Sequence, residues 1–220
     1  MNLDYGLLVA CWLAYFTLHS WLASLAMKRW VAARWPDFMP AYRLTFNLLA
    51  VLLLLPILVL TYSLPAPWLW RWEGAGAWLA NGVSLLAVAG VILSSRGYDM
   101  REFLGLRQLR GKVRSVADQE SFRISAFHRY VRHPWYFFAL LLIWARDMNG
   151  ATLLSSILLT TYFIVGSKLE EKKLLIYHGE IYRRYMARVA GLVPLPGHVL
   201  TQREAEEFLG KQLEPGKGKP

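Results

Sequence analysis

The chain has 220 residues, is 55% hydrophobic, contains ten Trp and carries a net charge of +10. A soluble domain of this length cannot bury so much apolar surface, so the excess calls for lipid or a very large partner interface. The single Cys, Cys11, lies in an apolar run, which excludes a disulfide-held fold and a Cys-based metal site. The basic residues fall between apolar spans and form no nucleic-acid-binding motif, the pattern of cytoplasmic membrane loops.

In chain order, residues 3–27 form the first apolar stretch, ended by Lys28 and Arg29. Asp4 and the lack of a basic leading segment mark it as a retained span, not a removable signal. Residues 43–64 form the second, with Pro56 at a position that a membrane helix tolerates. Residues 77–95 form the third. A fourth stretch is interrupted by Arg146-Asp147-Met148-Asn149-Gly150, a turn signal. It therefore predicts a hairpin of two short helices, 135–146 and 151–167. The first arm is shorter than the roughly 20 residues that cross hydrocarbon. The predicted fold is all-α and polytopic, with about five spans, cytoplasmic C-terminal helices, one domain over 1–197 and a polar tail over 198–220. The tail is expected to hold one helix, Gln202–Leu209.

Loop charges orient this arrangement. Residues 28–43 carry four basic residues and one acidic, 65–76 one of each, 96–134 nine basic and four acidic, and 168–220 ten and seven. The alternating excess places the N-terminus outside and the C-terminus in the cytoplasm, in an inner or plasma membrane. Trp68, Trp70, Trp72 and Trp78 then sit where an outer aromatic belt belongs.

Three clusters carry unusual polar residues. Arg129-Tyr130-Val131-Arg132-His133-Pro134-Trp135-Tyr136 lies at a membrane boundary, and Pro134 suits a first helical turn whose free N–H groups favour an anion. A basic juxtamembrane anchor reads the same way. Glu170 and Glu171 follow the last span directly; two carboxylates there suit a ribose or an amino group, or belong to a solvated helix with Lys pairs. Beyond them, Glu171, His178 and Tyr185 share one helical face if Gly179 does not break it, with Tyr182 and Arg188 near that face. An amphipathic interfacial helix is the alternative. His19 in the first span, and Arg107 and Gln108 in Gly105-Leu106-Arg107-Gln108, are weaker candidates for the substrate. No dinucleotide fingerprint, phosphate loop, zinc spacing or serine elbow is present in the sequence.

Taken jointly, Arg132-His133-Pro134-x-Tyr136, the short hairpin, Glu170-Glu171-x-x-Leu174, Gly179-x-x-Tyr182-x-x-Tyr185-x-x-Arg188-Val189 and Pro194 resemble the isoprenylcysteine carboxyl methyltransferase superfamily. Phe103 to Gln108 and Leu18-His19-Ser20 are similar to its NnrU-type branch, which includes methanethiol S-methyltransferase. The resemblance implies S-adenosylmethionine in a cytoplasm-facing pocket capped by residues 168–197, with cofactor contacts at His133, Tyr136, Glu170, Glu171, Tyr182 and Tyr185. It places Arg188 near the acceptor and the methyl group. Two departures stand out: Phe138 where a small residue is usual, and Met186 where a basic residue often stands.

The residue types suit this chemistry. Methyl transfer from a sulfonium needs alignment and electrostatics, with no covalent nucleophile. A thiol acceptor, with a free pKa near 8.5, gains from a cation such as Arg188 that favours thiolate. The expected acceptor is a thiol or a prenyl-cysteine or lipid group reached through the bilayer. An NADPH-dependent membrane reductase of the sterol or steroid type and a non-catalytic membrane scaffold are the competing classes.

Overall fold

The computed structural model describes residues 2–96, 98–114 and 124–210. The Gly-Lys-Gly-Lys-Pro tail and part of the long 96–134 segment lie outside them. In chain order the main elements are α1 (Asn2–Ala23), α2 (Leu25–Arg34), α3 (Met39–Ser63), β1 (Trp68–Trp70), α4 (Gly74–Ser95), α5 (Met100–Phe103), α6 (Leu106–Arg110), α7 (Pro134–Trp144), α8 (Gly150–Arg188) and α9 (Gln202–Gly210). A two-residue strand, β2 (Met148–Asn149), pairs antiparallel with β1.

Helices α1, α3, α4 and α8 are long and apolar enough to cross a membrane, and α7 is a shorter apolar helix. Their apolar side chains point outward as well as inward: Leu52 is 61% exposed and Leu86 69% exposed. A helix that leaves such residues uncovered belongs in lipid, where its backbone bonds are all internal. The protein is an all-α polytopic integral membrane protein.

Helices α3 and α4 start a few residues before the expected 43 and 77, at Met39 and Gly74, and two further boundaries change the reading. The first span ends at Ala23, because Ser24 caps a separate helix, its hydroxyl accepting from the Met27 N–H. The last span does not stop at Ser167. Helix α8 continues past Ser167 to a break at Gly179 and resumes to Arg188, so the membrane arm runs on without interruption into the start of the region predicted to cap the cofactor. At 1.5 Å per residue the unbroken part, residues 150–178, is about 43 Å long, more than the hydrocarbon thickness of about 30 Å. Helix α7 has 11 residues and spans only about 16 Å. Within α8, Gly179 takes φ 54° and ψ −127°, a conformation that side chains disfavour. The helical face expected to join Glu171, His178 and Tyr185 is broken there.

The chain forms two compact units. The first comprises the described residues within 1–72, 98–118 and 147–159. Its core is Leu8, Trp12, Ile57 and Ala151. Neutral polar groups beside this core pair with one another: the Trp12 indole N–H donates to Ser155 Oγ at 2.9 Å, and Ser155 shares a hydrogen bond with Thr61 at 3.2 Å. Asn149 starts α8, its Oδ1 accepting from the Thr152 N–H at 2.9 Å. The turn expected from Arg146 to Gly150 is thus a strand pair and a helix cap.

The second unit comprises the described residues within 73–97, 119–146 and 160–220. Helices α4 and α7 pack closely, and a Cβ at Gly90 would overlap the Phe138 ring. Phe138 also meets Phe127 edge-on at 5.2 Å. This accounts for a large residue at that departure from the family pattern: a glycine on the facing helix makes the room. The segment before α7 is stitched to the end of α8. Val131 bridges Ala190 in parallel, the Arg132 N–H donates to Ala190 O at 2.8 Å, and the His133 N–H to Gly191 O at 3.1 Å. Leu200 and Arg129 close the other side, the Leu200 N–H donating to Arg129 O at 2.9 Å.

Candidate active site

The stitched segment delivers two side chains to α8. Pro134 opens α7, and His133 precedes it at φ −123° and ψ 71°, where the strand-like run ends. Arg132 is mostly buried. Its Nε donates to Glu171 Oε1 at 2.7 Å, and its Nη1 donates to Met186 O at 2.9 Å and to Val189 O. One guanidinium therefore satisfies carbonyls that the end of α8 leaves open and pairs a carboxylate several turns back.

His133 is buried between two carboxylates. Its Nε2 lies 3.1 Å from Glu171 Oε1 and its Nδ1 3.4 Å from Glu170 Oε2. Only the imidazolium has a donor at both nitrogens. Burial pushes the His133 pKa down, but hydrogen bonds and charges from Glu170 and Glu171 outweigh it, and the net shift is upward. The ring stacks on Tyr136 at 5.4 Å and 10°, and Tyr136 stacks on Phe163 at 5.0 Å and 11°. The Tyr136 hydroxyl donates to Glu170 Oε2 at 3.4 Å. Glu171 is buried and engaged by Arg132 and His133, whereas the Glu170 side chain stays 47% exposed with only longer contacts. The arrangement is a flat aromatic wall beside an accessible carboxylate, with a second carboxylate locking the wall in place. It suits a ligand with a planar ring, hydroxyls and positive charge.

Comparison with known proteins agrees with this reading of the sequence pattern. A methanethiol S-methyltransferase of Pseudomonas sp. (strain GM41(2012)) is 35% identical over 187 residues, covering 80% of this chain and 68% of the relative. Methanethiol S-methyltransferase 2 of Bradyrhizobium diazoefficiens is 34% identical over 180 residues, with the same coverage. The Mycobacterium tuberculosis methanethiol S-methyltransferase is 34% identical over 185 residues, covering 81% of this chain and 73% of its own length. The chain belongs to the methanethiol S-methyltransferase family. Neither a family model nor a solved structure matches it.

Within this methyltransferase, the structure brings His133, Tyr136, Glu170 and Glu171 together. Tyr182 and Tyr185 are buried beside them in a cluster with Val189 and Leu200, and the Tyr185 hydroxyl donates to His128 O at 2.6 Å. Met186 packs against the same cluster, a place unsuited to the basic side chain that often stands there. Arg188 sits apart from the His133 contacts, paired with Glu204 and lining a cleft with Ile181, Arg184, Glu207 and Phe208. His19, Arg107 and Gln108 belong to the first unit. His19 packs between the rings of Tyr15 and Phe46. Arg107 is exposed and paired with Glu102 at 3.0 Å and Asp99 at 3.6 Å. The Gln108 Oε1 is buried with no hydrogen-bond partner among the described residues.

The sequence reading leaves His128 and Glu204 aside and reads Arg132 only as part of a motif. Arg132 reads there as one basic residue of a patch, yet it is the hub of the site. His128, with Nδ1 2.7 Å from Ser125 Oγ, has its pKa lowered to about 4 by burial and by the charge of His133, against the pull of Glu170. It is neutral at physiological pH. Glu204 carries one available signal: the Thr201-x-x-Glu204 spacing of a capping box.

Proposed function

We propose that this protein methylates a small thiol with S-adenosylmethionine, in a site opening to the cytoplasm from an N-out, C-in arrangement of the spans. The observation that carries the reading is the imidazole of His133 held between Glu170 and Glu171, in a chain whose relatives are named methanethiol S-methyltransferases. The donor set fits the cofactor: Glu170 keeps spare acceptor capacity for ribose hydroxyls or an ammonium, beside the stacked rings of His133, Tyr136 and Phe163. When bound, S-adenosylmethionine supplies an electrophilic methyl on a sulfonium, which a thiolate displaces in line to give S-adenosylhomocysteine and a thioether.

The chain's own residues supply alignment. Glu170 binds. His133 and Tyr136 orient, with Tyr182 and Tyr185 as the supporting wall. Glu171 positions His133 and Arg132 through Oε1, and its other oxygen, Oε2, is the one that can reach the cofactor. Arg188 favours the thiolate form of the acceptor, whose proton leaves to water.

Calorimetry on detergent-purified protein tests this. S-adenosylmethionine and S-adenosylhomocysteine are expected to bind in the micromolar range, and Glu170→Ala to weaken both. Labelled methyl is expected to appear on methanethiol. Binding of NADPH in place of the other two would move the protein to the reductase class. Reporter fusions at the two termini check the orientation.

A further inference from the structure

Helix α9 and the end of α8 enclose a cleft of about 210 Å³, lined by Ile181, Arg184, Arg188, Glu204, Glu207 and Phe208. Glu204 faces two ways in it. Its Oε2 accepts from the Thr201 N–H at 2.8 Å and from the Thr201 hydroxyl at 2.9 Å, while its own N–H donates to Thr201 Oγ at 3.2 Å. This reciprocal capping box starts α9. The other oxygen, Oε1, pairs with Arg188 Nη2. Helix α9 is itself anchored: Leu200 and Ala205 are buried, and Phe208 meets the Tyr185 ring at 6.4 Å.

An exposed ion pair taken alone contributes little, since both side chains lose freedom to form it. Here the capping box already holds the carboxylate through its other oxygen, so less freedom is lost when the guanidinium pairs with it. Arg188 spends one nitrogen on Glu204, and its other N–H groups have no hydrogen bond among the described residues. The cleft thus combines a held cation with unused donors and two apolar walls, Ile181 and Phe208. That pairing of features matches an anion carried on a short apolar group.

We propose that Glu204 is a positioning residue which fixes Arg188 on the wall of this cleft and makes α9 part of the binding site for a small thiolate acceptor. The proposal rests on the thiol methyl transfer assigned above. Its test uses the full chain in detergent with ethanethiol as the probe. Glu204→Gln is expected to raise the KM for ethanethiol roughly fivefold, the upper range for one exposed charge pair, with kcat and S-adenosylmethionine affinity unchanged. Glu204→Asp restores part of the loss, and Thr201→Ala, which removes the hydroxyl's bonds but leaves the residue 201 backbone N–H on the carboxylate, gives an intermediate KM. Adding Glu204→Gln to Arg188→Gln has no further effect. An unchanged KM in Glu204→Gln, or additive effects of the two substitutions, overturns the proposal. Ethanethiol affinity measured by calorimetry without methyl donor reads the same pair in the absence of turnover. If wild-type protein binds ethanethiol but not S-adenosylmethionine, the proposed function fails alone; if affinity is equal in wild type and Glu204→Gln, the role of Glu204 fails alone.

Discussion

The two compact units keep polar groups away from water by opposite means. The first uses neutral ones: the Trp12 indole, Ser155 and Thr61 form a short chain of hydrogen bonds inside an apolar core. The second buries charges, with Arg132, His133 and Glu171 converging at the start of α7. Neutral hydrogen bonds inside a membrane bundle are worth little each, averaging about 0.6 kcal/mol. Buried charges stand only if every partner is present, and the loss of one leaves the others uncompensated. The first unit is therefore tolerant and the second is not, which is what a scaffold and a site should respectively be.

The sharpest break of that contrast is Glu171→Ala. It strands Arg132 and His133 together, and about 3–5 kcal/mol of stability should be lost. Thermal unfolding in detergent measures this, and a loss below about 1 kcal/mol, the size of an exposed pair, would remove the distinction between the units.

Protonation probes the second unit next. His128 has its pKa lowered to about 4, so its neutral form stabilises the fold above the ordinary value of 6.5, and that contribution is lost as pH falls from 6.5 toward 4. Up to roughly 3 kcal/mol is at stake by linkage. His133 is shifted the other way. Its contribution is complete below 6.5 and is lost as pH rises through its raised value. Stability should therefore peak near the ordinary histidine range. His128→Gln should flatten the acid limb and His133→Gln the alkaline one, both read from melting temperature against pH.

Packing in the same unit gives a smaller effect. Gly90→Ala should destabilise by about 1–3 kcal/mol through overlap with Phe138, and Phe138→Leu in the same chain should recover part of it. A loss that Phe138→Leu does not relieve would mean that another contact carries it. Smallest is Ser155→Ala in the first unit, expected to cost about 0.6–1.7 kcal/mol with methyl transfer unaffected. A larger cost would show that the neutral chain is as demanding as the charged one.

Legibility tracks the range of the interaction. The apolar stretches, the interruption at Arg146–Gly150 and the helix at 202–209 are readable because hydrophobic period, turn residues and capping spacing are local. The pairing of the His133 segment with Glu170 and Glu171 is legible only through resemblance, since 37 residues separate His133 from Glu170 and no period links them. Arg132 is legible as part of the motif, but its burial is not: in a run of basic residues, nothing local separates the one that is buried from those that are solvated.

Composition and pattern by themselves determined that this protein lives in a membrane, is helical, and gathers its unusual polar residues in its C-terminal half. Apolar area must meet lipid, and helices must satisfy their own backbone there. Tertiary structure alone decided which carboxylate is locked and which stays accessible, why Phe138 is accommodated, and that Arg188 is gripped by a residue of the last helix. Those outcomes depend on distances between segments far apart in the chain, where a shift of a few ångströms turns a paired charge into an orphan.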